Sequence, residues 1–145
     1  MKTVGQLLES KGYDIWSVAP EDSVLDALKL MAEKNVGAVL VLAAGNLAGI
    51  LSERDFARKV ALEGITAKDT RVWEIMTERV ICVRSDQAIA ECMTLMTDRR
   101  IRHLPVLESN QLVGVISIGD VVKTIITEQE AIIEGFEDYM WGNQR

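Results

Sequence analysis

The 145-residue sequence is poor in residues that staple or punctuate a chain: two cysteines, two prolines, one histidine and 5% aromatics. Cys82 and Cys92 form neither a disulfide framework nor a CxxC pair, so they read as reduced thiols in a packed interior. The phosphate loop GxxxxGK[ST], the GxGxxG turn and the HExxH helix are all missing. No nucleophile or metal-ligand partner is spaced to work with the lone His103, which speaks against catalysis and against a metal centre. The most apolar stretch, Val36 to Leu51, is broken by Gly45-Asn46 and falls short of the roughly 20 residues that span a bilayer. Met1–Glu9 lacks the apolar run of a signal peptide. Positive charge is in deficit too: 16 basic residues against 22 acidic give −6, which argues against a general nucleic-acid binder. These absences predict a cytosolic protein, not an enzyme, with no membrane or nucleic-acid partner.

What is present is the composition of a globular domain, 48% hydrophobic and 26% charged, long enough to bury a core without a staple. The chain also repeats itself. A shift of 65 residues lays Ile15–Val60 over Val80–Ile125 without a gap. Val18/Val83, Leu30/Leu95, Met31/Met96, Gly49/Gly114, Ser52/Ser117 and Asp55/Asp120 are identical pairs. Two copies are too few for a solenoid and suggest two like units about a pseudo-twofold axis.

Each copy reads as β-α-β-β-α, an α+β fold class. A short strand, Ile15–Val18 or Val80–Val83, precedes an amphipathic helix. Val24, Ala27, Leu28 and Met31, or Ile89, Cys92, Met93 and Met96, recur at helical spacing. Two apolar strands follow, Gly37–Leu42 with Leu47–Leu51 and His103–Leu107 with Leu112–Ile116, each pair joined by a tight turn. A second helix opens at Ser52 or Ser117. Met1–Asp14 reads as a helical lead-in, and Glu128–Arg145 as a terminal helix whose apolar stripe needs cover, from its own core or a neighbouring subunit. The boundary falls at 72/73: residues 1–72 hold the first repeat with the lead-in, and 73–145 the second with the terminal helix.

The polar positions common to both copies are the candidate functional residues. Gly49 to Asp55 and Gly114 to Asp120 share G-h-h-S-x-x-D, where h is apolar. Two readings stay open. Ser with an acid three residues later is a capping-box variant that satisfies helix-end N–H groups. The same geometry offers a helix N-terminus to a phosphate and a carboxylate to a ribose diol. Arg99-Arg100-Ile101-Arg102-His103 concentrates three arginines and the histidine at one strand entrance. Arg99 and Arg100 suit a helix C-terminus, while Arg102 and His103 suit a phosphate.

The doubled unit, the two G-h-h-S-x-x-D ends and Arg102-His103-Leu104-Pro105-Val106 together resemble a tandem pair of cystathionine β-synthase (CBS) domains, a Bateman module of the small stand-alone bacterial type. The resemblance implies an adenosine ligand (AMP, ADP, ATP, NAD(H) or S-adenosylmethionine) in clefts between the repeats. It assigns the ribose to Asp55 and Asp120 with Ser52 and Ser117, and phosphates to Arg102 and His103. Adenine is expected beside Val18, Ala19 and Val39, or beside Val83, Arg84, Leu104 and Pro105. Gly37 and Ala38 replace Arg102 and His103 in the first copy, and Arg54 replaces Gly119, so the two sites cannot be electrostatically equal. The implied function is an adenine-nucleotide sensor, a homodimer of such pairs acting on a protein target; the alternative is a ligand-independent dimerisation module.

Overall fold

In each copy a strand, a helix and an antiparallel hairpin assemble one small sheet. The computed structural model describes residues 2–141. Its elements are α1 (Val4–Lys11), β1 (Ser17–Val18), α2 (Val24–Lys34), β2 (Ala38–Ala43), β3 (Asn46–Ser52), α3 (Glu53–Phe56), a π-helical segment (Ala57–Ala61), α4 (Val72–Ile75), β4 (Val83–Arg84), α5 (Ile89–Arg99), β5 (His103–Glu108), β6 (Gln111–Ser117) and α6 (Ile118–Trp141). Sheet order is β1-β2-β3 in one copy and β4-β5-β6 in the other, with the first pair parallel and the second antiparallel.

The hairpins close on two residues, Ala44 (φ 51°) with Gly45 (φ 80°) and Ser109 (φ 50°) with Asn110 (φ 62°). Both central residues are left-handed, the turn that matches the twist of the flanking strands. Helices α2 and α5 each end on one left-handed residue, Asn35 and Arg100. The opening strands pair over two residues rather than the expected four, because only Ser17–Val18 and Val83–Arg84 reach a neighbour.

The chain divides into two compact units: residues 14–81, and residues 82–145 together with 1–13. This differs from the expected boundary at 72/73 and moves the lead-in to the other repeat. Backbone hydrogen bonds give the reason. Val4 N–H donates to Gln87 (2.9 Å), Gly5 N–H to Ser85 (2.8 Å), and Ile89 N–H to Lys2 (3.1 Å), so the N-terminal segment is stitched to the turn before α5. The inter-repeat segment does the same for the first copy: Val72 N–H donates to Asp22 (2.8 Å), Trp73 N–H to Pro20 (3.0 Å) and Val24 N–H to Thr70 (2.8 Å). Each sheet therefore receives its preceding helix from the lead-in of the other repeat.

In residues 14–81 the core is Val24, Ala27, Met31, Val39, Val41, Leu51, Val60, Val72 and Ile75. In the other unit Val4, Leu7, Leu8, Val83, Ile89, Cys92, Met96, Leu104, Val106, Ile116 and Val121 are buried. Beyond Val121, α6 buries none of its large apolar side chains: Ile132 is 70% exposed, Phe136 62% and Tyr139 85%. Positions 142–145 of the expected terminal helix lie outside the described residues. Among the described residues no helix is long and apolar enough to cross a membrane.

The repeated glycines mark where each lead-in crosses its sheet. A Cβ on Gly49 would stand 2.8 Å from the Thr77 carbonyl and 2.8 Å from the Met76 sulfur, whereas the nearest atoms to one on Gly114 belong to the Leu8 side chain, its methyls at 2.9 and 3.0 Å. Backbone yields less readily than a side-chain tip. Gly49→Ala is expected to lower stability by about 1–3 kcal/mol and Gly114→Ala by less, as read from urea denaturation midpoints.

Candidate functional site

The two Ser-x-x-Asp ends fold as helix caps. Ser52 Oγ accepts from Asp55 N–H (3.2 Å), and Asp55 Oδ2 accepts from Ser52 N–H (3.0 Å) and the Ser52 hydroxyl (3.1 Å). In the second copy Asp120 N–H donates to Ser117 Oγ (3.2 Å) and Ser117 N–H to Asp120 Oδ2 (2.8 Å). The capping reading is therefore realised at both positions, and it holds each carboxylate at the first turn of its helix.

A lysine then sits on each aspartate, by a different route. Lys59, four residues on in the π-helical segment, lies 3.1 Å from Asp55 Oδ1 and also donates to the Ile75 carbonyl (3.0 Å). The Thr77 hydroxyl adds a longer contact to the same oxygen (3.4 Å). Position 124, the counterpart of Lys59, is a threonine whose hydroxyl turns back to the Asp120 carbonyl (2.9 Å). The cation on Asp120 comes instead from α1: Lys11 Nζ lies 2.6 Å from Oδ2 and donates to the Val115 carbonyl (2.6 Å). Among the described residues, no counterpart of the Lys59 and Thr77 contacts reaches Oδ1 of Asp120.

The β5–β6 register adds the basic pair. His103 stands directly opposite Ser117, and Ile118 N–H donates to the Arg102 carbonyl (2.8 Å), so the strand entrance and helix start are laced together. Arg102 is exposed; His103 is half-buried, with no side-chain hydrogen bond among the described residues. In the first copy Ala38 stands opposite Ser52, and Glu53 N–H donates to Gly37 (3.0 Å), giving the same backbone without the cations. Arg54 is exposed on α3.

The remaining expected contacts divide by burial. Val39 and Leu104 are core side chains, so toward a ligand these positions offer only backbone. Val83 and Pro105 are buried as well, and Val18 and Ala19 are half-buried. Sequence reasoning missed Lys11, Lys59 and Thr77. Only Lys59 carried a local signal, its i,i+4 spacing from Asp55. Among the described residues no group of three or more His, Cys, Asp or Glu side chains could hold a metal ion.

Burial lowers the His103 pKa below its ordinary 6.5, and the Lys11 and Arg102 charges add to this while Asp120 pulls the other way. The unfolded chain thus binds that proton more readily than the folded one. Stability is full above about 6.5 and falls as pH drops through that value toward the folded one. Asp120 works in a lower window. Burial alone would raise its pKa, but hydrogen bonds from Lys11 and Ser117 with the Lys11 charge bring it below 3.8, so its contribution is lost only as pH falls beneath that. His103 is the only histidine, so thermal melts at about pH 7.5 and about pH 5.5, run on wild type and on a His103 variant, separate its share from that of the other groups. The melting temperature is expected to fall at the lower pH, and His103→Gln to flatten that fall.

A protein-family model for the CBS domain matches the chain twice, over residues 5–62 and 72–127. The chain belongs to the CBS-domain family. It is a CBS pair, a regulatory type of module. A solved protein with CBS domains from Burkholderia ambifaria MC40-6 is 51% identical, with a TM-score of 0.85 over 88% of this chain and 96% of that one. The mitochondrial CBS domain-containing protein CBSX3 of Arabidopsis thaliana is 38% identical over 97% of this chain and 72% of its own length. The CBS domain pair of protein MJ0100, solved with 5′-methylthioadenosine and S-adenosyl-L-methionine, shares the fold at 21% identity, with a TM-score of 0.77 over 88% of this chain and 98% of that one.

Proposed function

We propose that this CBS pair is a sensor for an adenosine ligand carrying an anionic group, and that the second repeat holds the principal site. Asp120 accepts the ribose hydroxyls, Ser117 adds a hydroxyl contact, and Arg102 with His103 faces the phosphate. The single observation that carries the reading is the juxtaposition of the Lys11–Asp120 pair, which leaves one carboxylate oxygen to spare, with the Arg102–His103 strand entrance laced to the same helix start at Ser117 and Ile118. The first repeat lacks that pair of cations, and both oxygens of Asp55 are engaged. The adenosine ligands of the MJ0100 pair support the ligand class.

Thermal unfolding with AMP, ADP, ATP, NADH and S-adenosylmethionine tests the reading. A ligand at 100 times its Kd stabilises by about 2.7 kcal/mol, a rise of roughly 5–10 °C at this chain length. No shift with any of them, and no heat by calorimetry, would end it. The result would then favour a purely structural module, to which the intact capping boxes already give some support. The reading includes self-association. Val122, Ile126, Ile133, Phe136 and Met140 are exposed on α6 at the positions of a coiled-coil seam, interrupted once by Gln129 between Ile126 and Ile133, and a second copy would cover them. Light scattering on the purified protein should return a dimer mass, and a monomer would remove this part.

A further inference from the structure

The two lysines are not equivalent, and the difference reaches beyond the site itself. Lys59 rides on the same helical stretch as its aspartate, so Asp55 and its cation move together. Lys11 belongs to a separate element. It is the last residue of α1, directly before Gly12, whose φ of 107° ends the helix. The lead-ins explain why only one repeat has it. Thr3–Leu8 and Arg71–Met76 enter their sheets alike, 68 residues apart. Helix α4 then stops at Ile75 and the chain turns so that Thr77 pairs with Ile50, whereas α1 runs one turn further and delivers Lys11 to Asp120. The pair is open to exchange: the Lys11 side chain is 36% exposed and that of Asp120 25%.

We propose that Lys11 is a specificity-determining residue of the second-repeat site. It competes with a ligand's diol for Asp120 and, once displaced, pairs with the ligand's anionic group. A neutral adenosine compound must break the Lys11–Asp120 pair and leave the ammonium without a counter-charge, its hydrogen bond to the Val115 carbonyl notwithstanding. An anionic one supplies a replacement, a charge-assisted contact of the same kind. The lysine thus rejects the neutral ligand as much as it attracts the charged one. This inference rests on the reading that the second repeat takes an adenosine ligand.

Calorimetry with AMP and adenosine, the latter by displacement where its heat is small, tests it on the full chain. Lys11→Met should narrow the preference for AMP over adenosine at least tenfold, through tighter adenosine binding, weaker AMP binding or both. Lys11→Arg should keep that preference within about threefold of wild type, because it retains the charge. Thermal melts establish that each variant is folded, and Lys11→Gln replaces Lys11→Met if the latter is not. A folded charge-removing variant with an unchanged preference, or one weakening both ligands equally, overturns the role of Lys11 and leaves the site standing. A wild-type protein that binds neither compound, nor any other adenosine ligand, removes the site and this role with it.

Discussion

Leu104→Ala is expected to cost about 2–5 kcal/mol of stability, the largest effect of any single truncation discussed for this chain. Leu104 lies on β5 opposite Ile116, and neither residue is exposed to solvent at all. Truncation removes three buried carbons and leaves a cavity that a sheet pinned on both sides cannot close. Strand β5 is the central one of its sheet, hydrogen-bonded to β4 and β6, so it cannot slide inward to fill the space. Leu62, 79% exposed, supplies the contrast, and Leu62→Ala should stay within about 0.5 kcal/mol of wild type. Urea denaturation of the two variants side by side measures both. A Leu104→Ala loss as small as that of Leu62→Ala would mean that the β4-β5-β6 sheet is not packed as described.

Asp120→Asn is expected to weaken binding of an anionic adenosine ligand by roughly 10- to 150-fold, the equivalent of about 1.5–3 kcal/mol for hydrogen bonds to a charged group. The amide keeps the size of the carboxylate but presents one acceptor where a diol needs two. It also frees Lys11, which partly offsets the loss for a phosphate-bearing ligand. The same change at position 55 should alter that affinity less than about threefold, because Asp55 is already saturated by Ser52, Lys59 and Thr77. Calorimetry on both variants, with the stoichiometry fitted, reads the asymmetry directly. A loss that followed Asp55 would make the first repeat the occupied one.

Much of this architecture is legible in the residue order because its causes are local or periodic. The 3.6-residue recurrence at Val24, Ala27 and Met31 puts one face of α2 into the core, and the 65-residue shift carries that conclusion to Ile89, Cys92 and Met96. The serine caps are equally local, a side chain reaching N–H groups three residues away. The lead-ins are not. Their partners lie at Ala88 and Ser23, bridges that only tertiary pairing creates, and their own repeat of 68 residues is out of step with the dominant one. For that reason the compact units do not coincide with the 72/73 boundary read from the repeat. Lys11 was hidden for the same reason, since nothing near it in sequence indicates Asp120, 109 positions away. Nor did any residue signal that α3 would widen to π-helical geometry at Ala57, which its counterpart in α6 does not do.

The exchange of lead-ins also sets an order of events during synthesis. Residues 2–13 leave the ribosome ahead of the turn at Ser85–Gln87 that receives them, which is made some eighty residues later. Until then Val4, Leu7 and Leu8 have no sheet of their own to enter, and the middle of the chain, 14–81, is the earliest stretch able to close a core by itself. A free polypeptide ending at residue 81 should therefore already resist protease across residues 14–81 while residues 2–13 are still being cut.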